Sequence, residues 1–198
     1  MKKLLLIAVL CISLFSCSNS DETQTDSQSK ISQVLSEKDE TSQRLMYGLL
    51  SKEEKFHIWD DKIKKIINSN TLSQEQLILM NDLQNQITPN LFDDSKANDE
   101  REIFKNIYVK NFLEKASVIF SHEFIYENFF VISSRPVVLE IVPIEDNGGS
   151  KPPCGCNIGS IWSCAMSHPC KSTNKCTTTM EGCGFATMFE CNGNCFVY

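Results

Sequence analysis

Eight cysteines (Cys154, Cys156, Cys164, Cys170, Cys176, Cys183, Cys191 and Cys195) crowd the last quarter of this chain, and none lies between Cys17 and Cys154. That placement constrains the fold more than any other feature. An even number of cysteines in a short exported segment reads as a disulfide framework, with four bridges if all of them pair. Roughly a hundred connectivities are open to eight cysteines, and the spacing selects none of them. The competing reading is zinc or an iron–sulfur cluster, which needs close C-x-x-C pairs with histidine at matching intervals. Here the spacings are Cys154-Gly155-Cys156, long gaps, and then Cys191-Asn192-Gly193-Asn194-Cys195, with only His168 nearby. Disulfides are therefore expected, with no metal and no other cofactor. His168, beside Pro169, reads as a loop residue.

The opposite end of the chain supplies the oxidising compartment. Lys2-Lys3 precede an apolar run from Leu4 to Ile12, and Leu14-Phe15-Ser16-Cys17 follows. A short positive region, a brief apolar core and a small residue before the cut describe a secretory signal over residues 1–16. The apolar run falls short of the roughly 20 residues a membrane span needs. Leu14-Phe15-Ser16-Cys17 resembles the lipobox of bacterial lipoproteins, which implies acylation of Cys17 and attachment to a membrane of the cell envelope. Residues 17–42 read as the lipidated cysteine and a flexible tether, because Ser18 to Lys30 carry no apolar side chain to offset ordering entropy. Asp21-Glu22 resemble the acidic signals that send some lipoproteins to the outer surface.

The formal charge is −6, and it becomes more negative once Lys2 and Lys3 leave with the signal. No basic stripe exists, so binding to nucleic-acid phosphates is not expected. From Cys154 onward Lys171 and Lys175 balance Glu181 and Glu190, unlike the cationic peptides that attack anionic lipid.

Residues 43–145 read as a helical domain. Ser51-Lys52-Glu53-Glu54 fits a capping box, and Phe56, Trp59, Ile63, Ile66 and Ile67 recur at three- and four-residue steps after it. This helix is expected to end near Asn68. A second begins at Ser73, carries Leu77, Met80, Leu83 and Ile87, and stops at Thr88-Pro89. A third starts at Asp99 or Glu100, with Phe104, Tyr108, Phe112, Ala116, Ile119 and Phe120 on one face. A shorter helix is expected around Gln43 to Leu50. Phe124 to Ile132 fits a helix end or a strand, and Val137 to Val142, between Pro136 and Pro143, reads as extended. His57 with Asp61, and His122 with Glu123, are neighbours of the kind that helices usually solvate. No phosphate loop, nucleophile elbow or zinc-protease helix is present, so no enzyme is expected.

Residues 146–153 contain Asn147-Gly148-Gly149 and Pro152-Pro153, the composition of an inter-domain linker and of a protease-accessible segment. Residues 154–198 are too few to build a sufficient core, and covalent staples replace it. Asn192-Gly193 is expected to turn a terminal hairpin from Phe189 to Tyr198. Trp162, Met166, Phe185, Met188, Phe189, Phe196 and Tyr198 exceed what so small a core covers, so some are expected on a contact surface. The fold class is α+β, a small N-terminal helical bundle followed by a separate small disulfide-rich, hairpin-containing C-terminal module.

The run from Cys154-Gly155-Cys156 through Glu181-Gly182-Cys183-Gly184 to Cys191-Asn192-Gly193-Asn194-Cys195-Phe196-Val197-Tyr198 resembles the bacteriocin fulvocin C-related family. The block Tyr47-Gly48-Leu49-Leu50-Ser51-Lys52-Glu53-Glu54-Lys55, with Trp59 and Lys62, is similar to the longer members of that family. The resemblance implies a toxin-like module, or a descendant used for another purpose. Two functions follow as expectations. One is an antibacterial factor or precursor acting on a target-cell envelope component. The other is a non-toxic, surface-displayed binding module that contacts a protein, a glycan or a neighbouring envelope component.

Overall fold

A computed structural model describes residues 20–94, 99–133, 154–160, 164, 170–172 and 176–195. Among them the chain is α+β, with a helical N-terminal region and a small cysteine-rich C-terminal region of short antiparallel strands. The signal segment, Cys17, the extended Val137 to Val142 reading and the linker 146–153 lie outside the described residues.

Helix α1 spans Ser20–Ser36, which corrects the expected tether. Its second half has what the polar run lacks. Ile31 packs on the core, Val34 is buried, and Lys30 pairs with Asp26 at 2.6 Å one turn away. The buried Gln43 amide then donates to the Val34 carbonyl at 2.9 Å and to Ser133 Oγ at 3.0 Å, tying the end of α1 to the far end of the helical region. Helix α2 (Glu40–Gly48) starts on Asp39, whose side chain accepts from the Ser42 amide.

Helix α3 (Lys52–Ile67) carries the anticipated capping box, with Ser51 Oγ accepting from the Glu54 amide and Glu54 accepting from the Ser51 amide at 2.8 Å. Each bond satisfies a donor that the first helical turn leaves unpaired. Replacing Ser51 with alanine is expected to cost about 1 kcal/mol, read as a lower urea midpoint at unchanged slope. An unchanged midpoint would mean that packing alone fixes the start of α3. Helix α4 (Gln74–Gln86) repeats the box with Ser73 and Gln76. A 3-10 turn at Pro89–Phe92 follows and buries Leu91 and Phe92.

The third predicted helix forms in three parts, α5 (Asp99–Ile103), a π-helical stretch (Phe104–Tyr108) and α6 (Val109–Ile119). The sequence explains the insertion. Phe104, Tyr108, Phe112, Ala116 and Phe120 repeat every fourth residue, a period that drifts about 40° per step around an α-helix. The wider i→i+5 turn takes up part of that drift and stacks Phe104 on Tyr108 at 5.1 Å and Tyr108 on Phe112 at 6.3 Å. Phe124 to Phe129 resolve as helix, within α7 (His122–Phe129), capped by Ser121.

The strands are β1 (Cys170–Lys171), β2 (Thr179–Cys183), β3 (Phe189–Cys191) and β4 (Asn194–Cys195). They pair as β1 with β4 and β2 with β3, both antiparallel. Among the described residues β3 and β4 do not pair with each other across Asn192-Gly193 as expected, and the hairpin lies one step earlier. The reason is local. Gly193 does not take the positive φ of a tight turn, which in this module belongs to Gly182 and Gly184 among the glycines. Gly193 instead lets two backbones close on each other, because a Cβ there would lie 2.6 Å from the Lys171 carbonyl and 2.8 Å from Cys170 Sγ.

One apolar core runs through both regions. Trp59, Ile63, Met80, Leu83, Phe112, Ile125 and Phe129 share it with Phe185, Ala186 and Met188. The separateness of the C-terminal module thus lies in its covalent framework, not in its packing.

Candidate functional site

The four bridges are Cys154–Cys176, Cys156–Cys170, Cys164–Cys195 and Cys183–Cys191. The first two are nested, the third crosses both, and the fourth closes β2 on β3. The sulfurs of Cys156, Cys164 and Cys195 lie within 4.8 Å of one another. They belong to two bridges packed side by side, and a metal there would first require both bridges to be reduced, because thiolate is the ligand.

The Cys183–Cys191 bridge gives the module its most specific feature, a pinched loop whose tip enters the helical bundle. Gly184 has φ 70°, and a Cβ at that position would meet the Phe189 ring at 2.6 Å. Ala186 and Thr187 follow with φ of 50° and 57°. Left-handed backbone at two consecutive non-glycine residues is costly and persists only where surroundings impose it. Here the strand pair below and the bundle above impose it, and the result is that Phe185, only 1% exposed, points into an aromatic cradle. Its ring stacks on Phe129 at 5.5 Å and meets Phe112 at 5.6 Å, with Phe104 and Phe130 each at 6.3 Å.

Cationic and polar side chains of the helical region surround this anchor. Arg101, itself buried, donates through Nη2 to the Met188 carbonyl at 3.2 Å and through Nη1 to Asp94 at 2.6 Å. Asp94 also pairs with the buried Lys55. Arg44 donates to the Gly155 carbonyl at 3.1 Å and reaches Cys183 Sγ at 3.5 Å. His122 Nε2 lies 3.4 Å from the Cys164 carbonyl, and Lys105 sits over the Phe189 ring at 5.3 Å. Beside this contact a cleft of about 370 Å³ opens between α6 and the module, lined by Val109, Leu113, Phe185, Phe189, Lys105 and Lys110.

Against this geometry the expected contact residues divide. Phe185 is core, which corrects its assignment to an exposed surface, because the bundle offers four rings that the module cannot supply itself. Phe189 is half-buried between the cleft and Lys105. Trp162, Met166, Phe196 and Tyr198 lie outside the described residues. Met180 and Ile158, which the sequence did not single out, are exposed on the module. Arg44 and Arg101 were missed as well. Arg101 had a readable signal, since it precedes Phe104 and Tyr108 at three- and seven-residue steps on the apolar face. A cation on such a stripe needs a partner held inside the fold. Arg44 carried no comparable signal.

The Tyr47 to Lys62 block forms one packing node. Trp59 donates from Nε1 to Tyr47 Oη at 3.0 Å, Lys55 lies over the Tyr47 ring, and Lys62 lies over the Trp59 ring at 5.3 Å. Lys62 donates to the carbonyls of Glu127 at 2.6 Å and Val131 at 2.7 Å, closing the end of α7. Burial lowers its pKa from the ordinary 10.5 to about 7, with Glu127 opposing the shift. The neutral amine keeps two N–H donors, one for each carbonyl, so losing the proton costs neither bond. Between about 7 and 10.5 the unfolded chain holds the proton and the folded chain does not, so stability rises with pH across that window and is flat below it. Lys62→Met is expected to abolish the rise, whatever it does to stability at neutral pH. An unaltered slope in urea unfolding at pH 7, 8.5 and 10 would show that Lys62 stays charged in the fold.

No described helix is long and apolar enough to cross a membrane. A scan against protein-family models and searches of curated proteins and of solved structures each return no match to this chain.

Proposed function

We propose that this chain is an exported lipoprotein, anchored through Cys17, whose helical region carries and masks a bacteriocin-like disulfide module that acts as an antibacterial factor once released. The observation that supports this reading most is the burial of Phe185, Ala186 and Met188 in the bundle. A module that presents its apolar loop to a target is thereby kept from presenting it to its own cell. The lipobox-like Leu14-Phe15-Ser16-Cys17, the cleavable composition of residues 146–153 and the fulvocin-like cysteine run are in keeping with it.

A second reading, a surface module that binds a partner without killing, has its own observation. Met180 on β2 is 79% exposed, and Leu45 on α2 and Leu49, which caps the end of that helix, are exposed too, Leu49 to 88%. Arg44 holds that helix and the module together, so the intact protein carries exposed apolar side chains of both regions on joined elements.

The two readings separate in one experiment. Oxidised full-length protein is cut within residues 146–153, and three samples are added to related bacteria over a wide dose range: uncut protein, cut protein, and the oxidised module separated from the helical fragment in urea. Growth inhibition by the separated module but not by uncut protein favours the masked factor. No inhibition by the separated module removes the antibacterial reading. The intact mass of protein from its own cells then tests the anchor, since acylation adds lipid to a chain beginning at Cys17.

A further inference from the structure

The hydrogen bonds described above between the helical region and the module end on module backbone or on sulfur: the carbonyls of Met188, Gly155 and Cys164, and Cys183 Sγ. The apolar contact is concentrated in one ring, Phe185, seated among four others. A central aromatic anchor ringed by polar groups is the anatomy of a protein–protein interface with a hot spot. The ends of the loop that carries the anchor are held together by the Cys183–Cys191 bridge whether or not it is docked. A loop closed in this way loses less conformational freedom on binding than an open one.

The two sides are also covalently separable. Residues 18–153 contain no cysteine, and the eight cysteines that follow pair among themselves. A single backbone cut between residues 146 and 153 therefore severs the only covalent link. We propose that the helical region is a receptor for the Cys183–Cys191 loop, and that it binds this loop on a second copy of the chain as well as on its own. Joined to the release reading above, on which this extension rests, a helical half left on the membrane after cleavage recaptures free modules. The receptor itself requires neither natural cleavage nor toxicity.

The test uses full-length oxidised protein carrying a specific protease site within residues 146–153, prepared in unlabelled and isotopically labelled batches. Both are cut to completion, sized without reductant, mixed, and held in urea below the unfolding midpoint. The expected result is that the two fragments of each batch co-elute, and that labelled modules appear on unlabelled helical fragments. Fragments that separate on cutting overturn the proposal, and so do fragments that stay together with no transfer at any urea concentration. Phe185→Ala is expected to speed dissociation by about a hundredfold or more, and Phe185→Leu by less. Should the alanine variant fail to fold before cutting, the leucine variant and Arg101→Lys replace it. Equal dissociation of all variants from wild type overturns the assignment of this loop. A module that harms no bacterium leaves every one of these readouts unchanged, so the two ideas fail separately.

Discussion

Phe185→Ala is expected to destabilise the oxidised protein by about 3–5 kcal/mol, enough to unfold a domain of ordinary stability to a measurable extent. The size follows from how little the site can relax. Phe129, Phe112, Phe104 and Phe130 hold the ring on several sides, and each belongs to a helix or helix end fixed by its own packing. The loop cannot sink further, because Gly184 already touches the Phe189 ring and Arg101 grips the Met188 carbonyl. The cavity therefore stays open, and its walls lose contact on every face. Equilibrium urea unfolding with all bridges intact, followed by the fluorescence of the two tryptophans, Trp59 and Trp162, reads the effect. Phe189→Ala is the control, since that side chain is only half-buried and is expected to cost less. Equal costs for the two would show that the loop does not dock in solution as it does here.

Replacing Cys164 and Cys195 together with serine is expected to cost about 4 kcal/mol. This bridge spans a sequence separation of 31, the longest of the four, and the entropy released to the unfolded chain grows with loop length. It also crosses the nested pair Cys154–Cys176 and Cys156–Cys170, so without it β4 keeps only its two-residue pairing with β1 and the bridge at Gly193. The variant is compared with wild type by urea midpoint and by the rate of proteolysis within residues 154–195. A loss below about 1 kcal/mol would mean that contact with the bundle already restrains the uncrosslinked segment.

Much of the helical region was legible because its signals are local. Ser51 with Glu54, and Ser73 with Gln76, announce their helices through pairs three residues apart, and Thr88-Pro89 stops the second. The π turn was only half legible. The four-residue repeat of Phe104, Tyr108 and Phe112 is visible, yet it fits a distorted α-helix as well as a π insertion. In the cysteine region the sequence conveyed that bridges form and nothing about which, because pairing depends on distances that only the folded chain defines. Phe185 shows the same limit. A lone aromatic flanked by Gly184 and Ala186 reads as surface when the module is considered by itself. Its burial depends on a cradle built from residues 104 to 130, more than fifty positions upstream. The polar run after Ser18 misled for a related reason, since the side chains that pin α1, Ile31 and Val34, begin just where that run ends.

The grip on backbone carbonyls has a consequence for how such a protein changes over time. Arg101, Arg44 and His122 recognise the path of the module's main chain, and nearly any residue supplies that path. Side chains facing outward, such as Met180, Glu190 or Ile158, are thus free to be rewritten without loosening the attachment, provided the bridges and the buried Phe185, Ala186 and Met188 are kept. The helical half serves as a fixed socket, and the outer face of what it holds can be altered to meet a new counterpart while the socket stays the same.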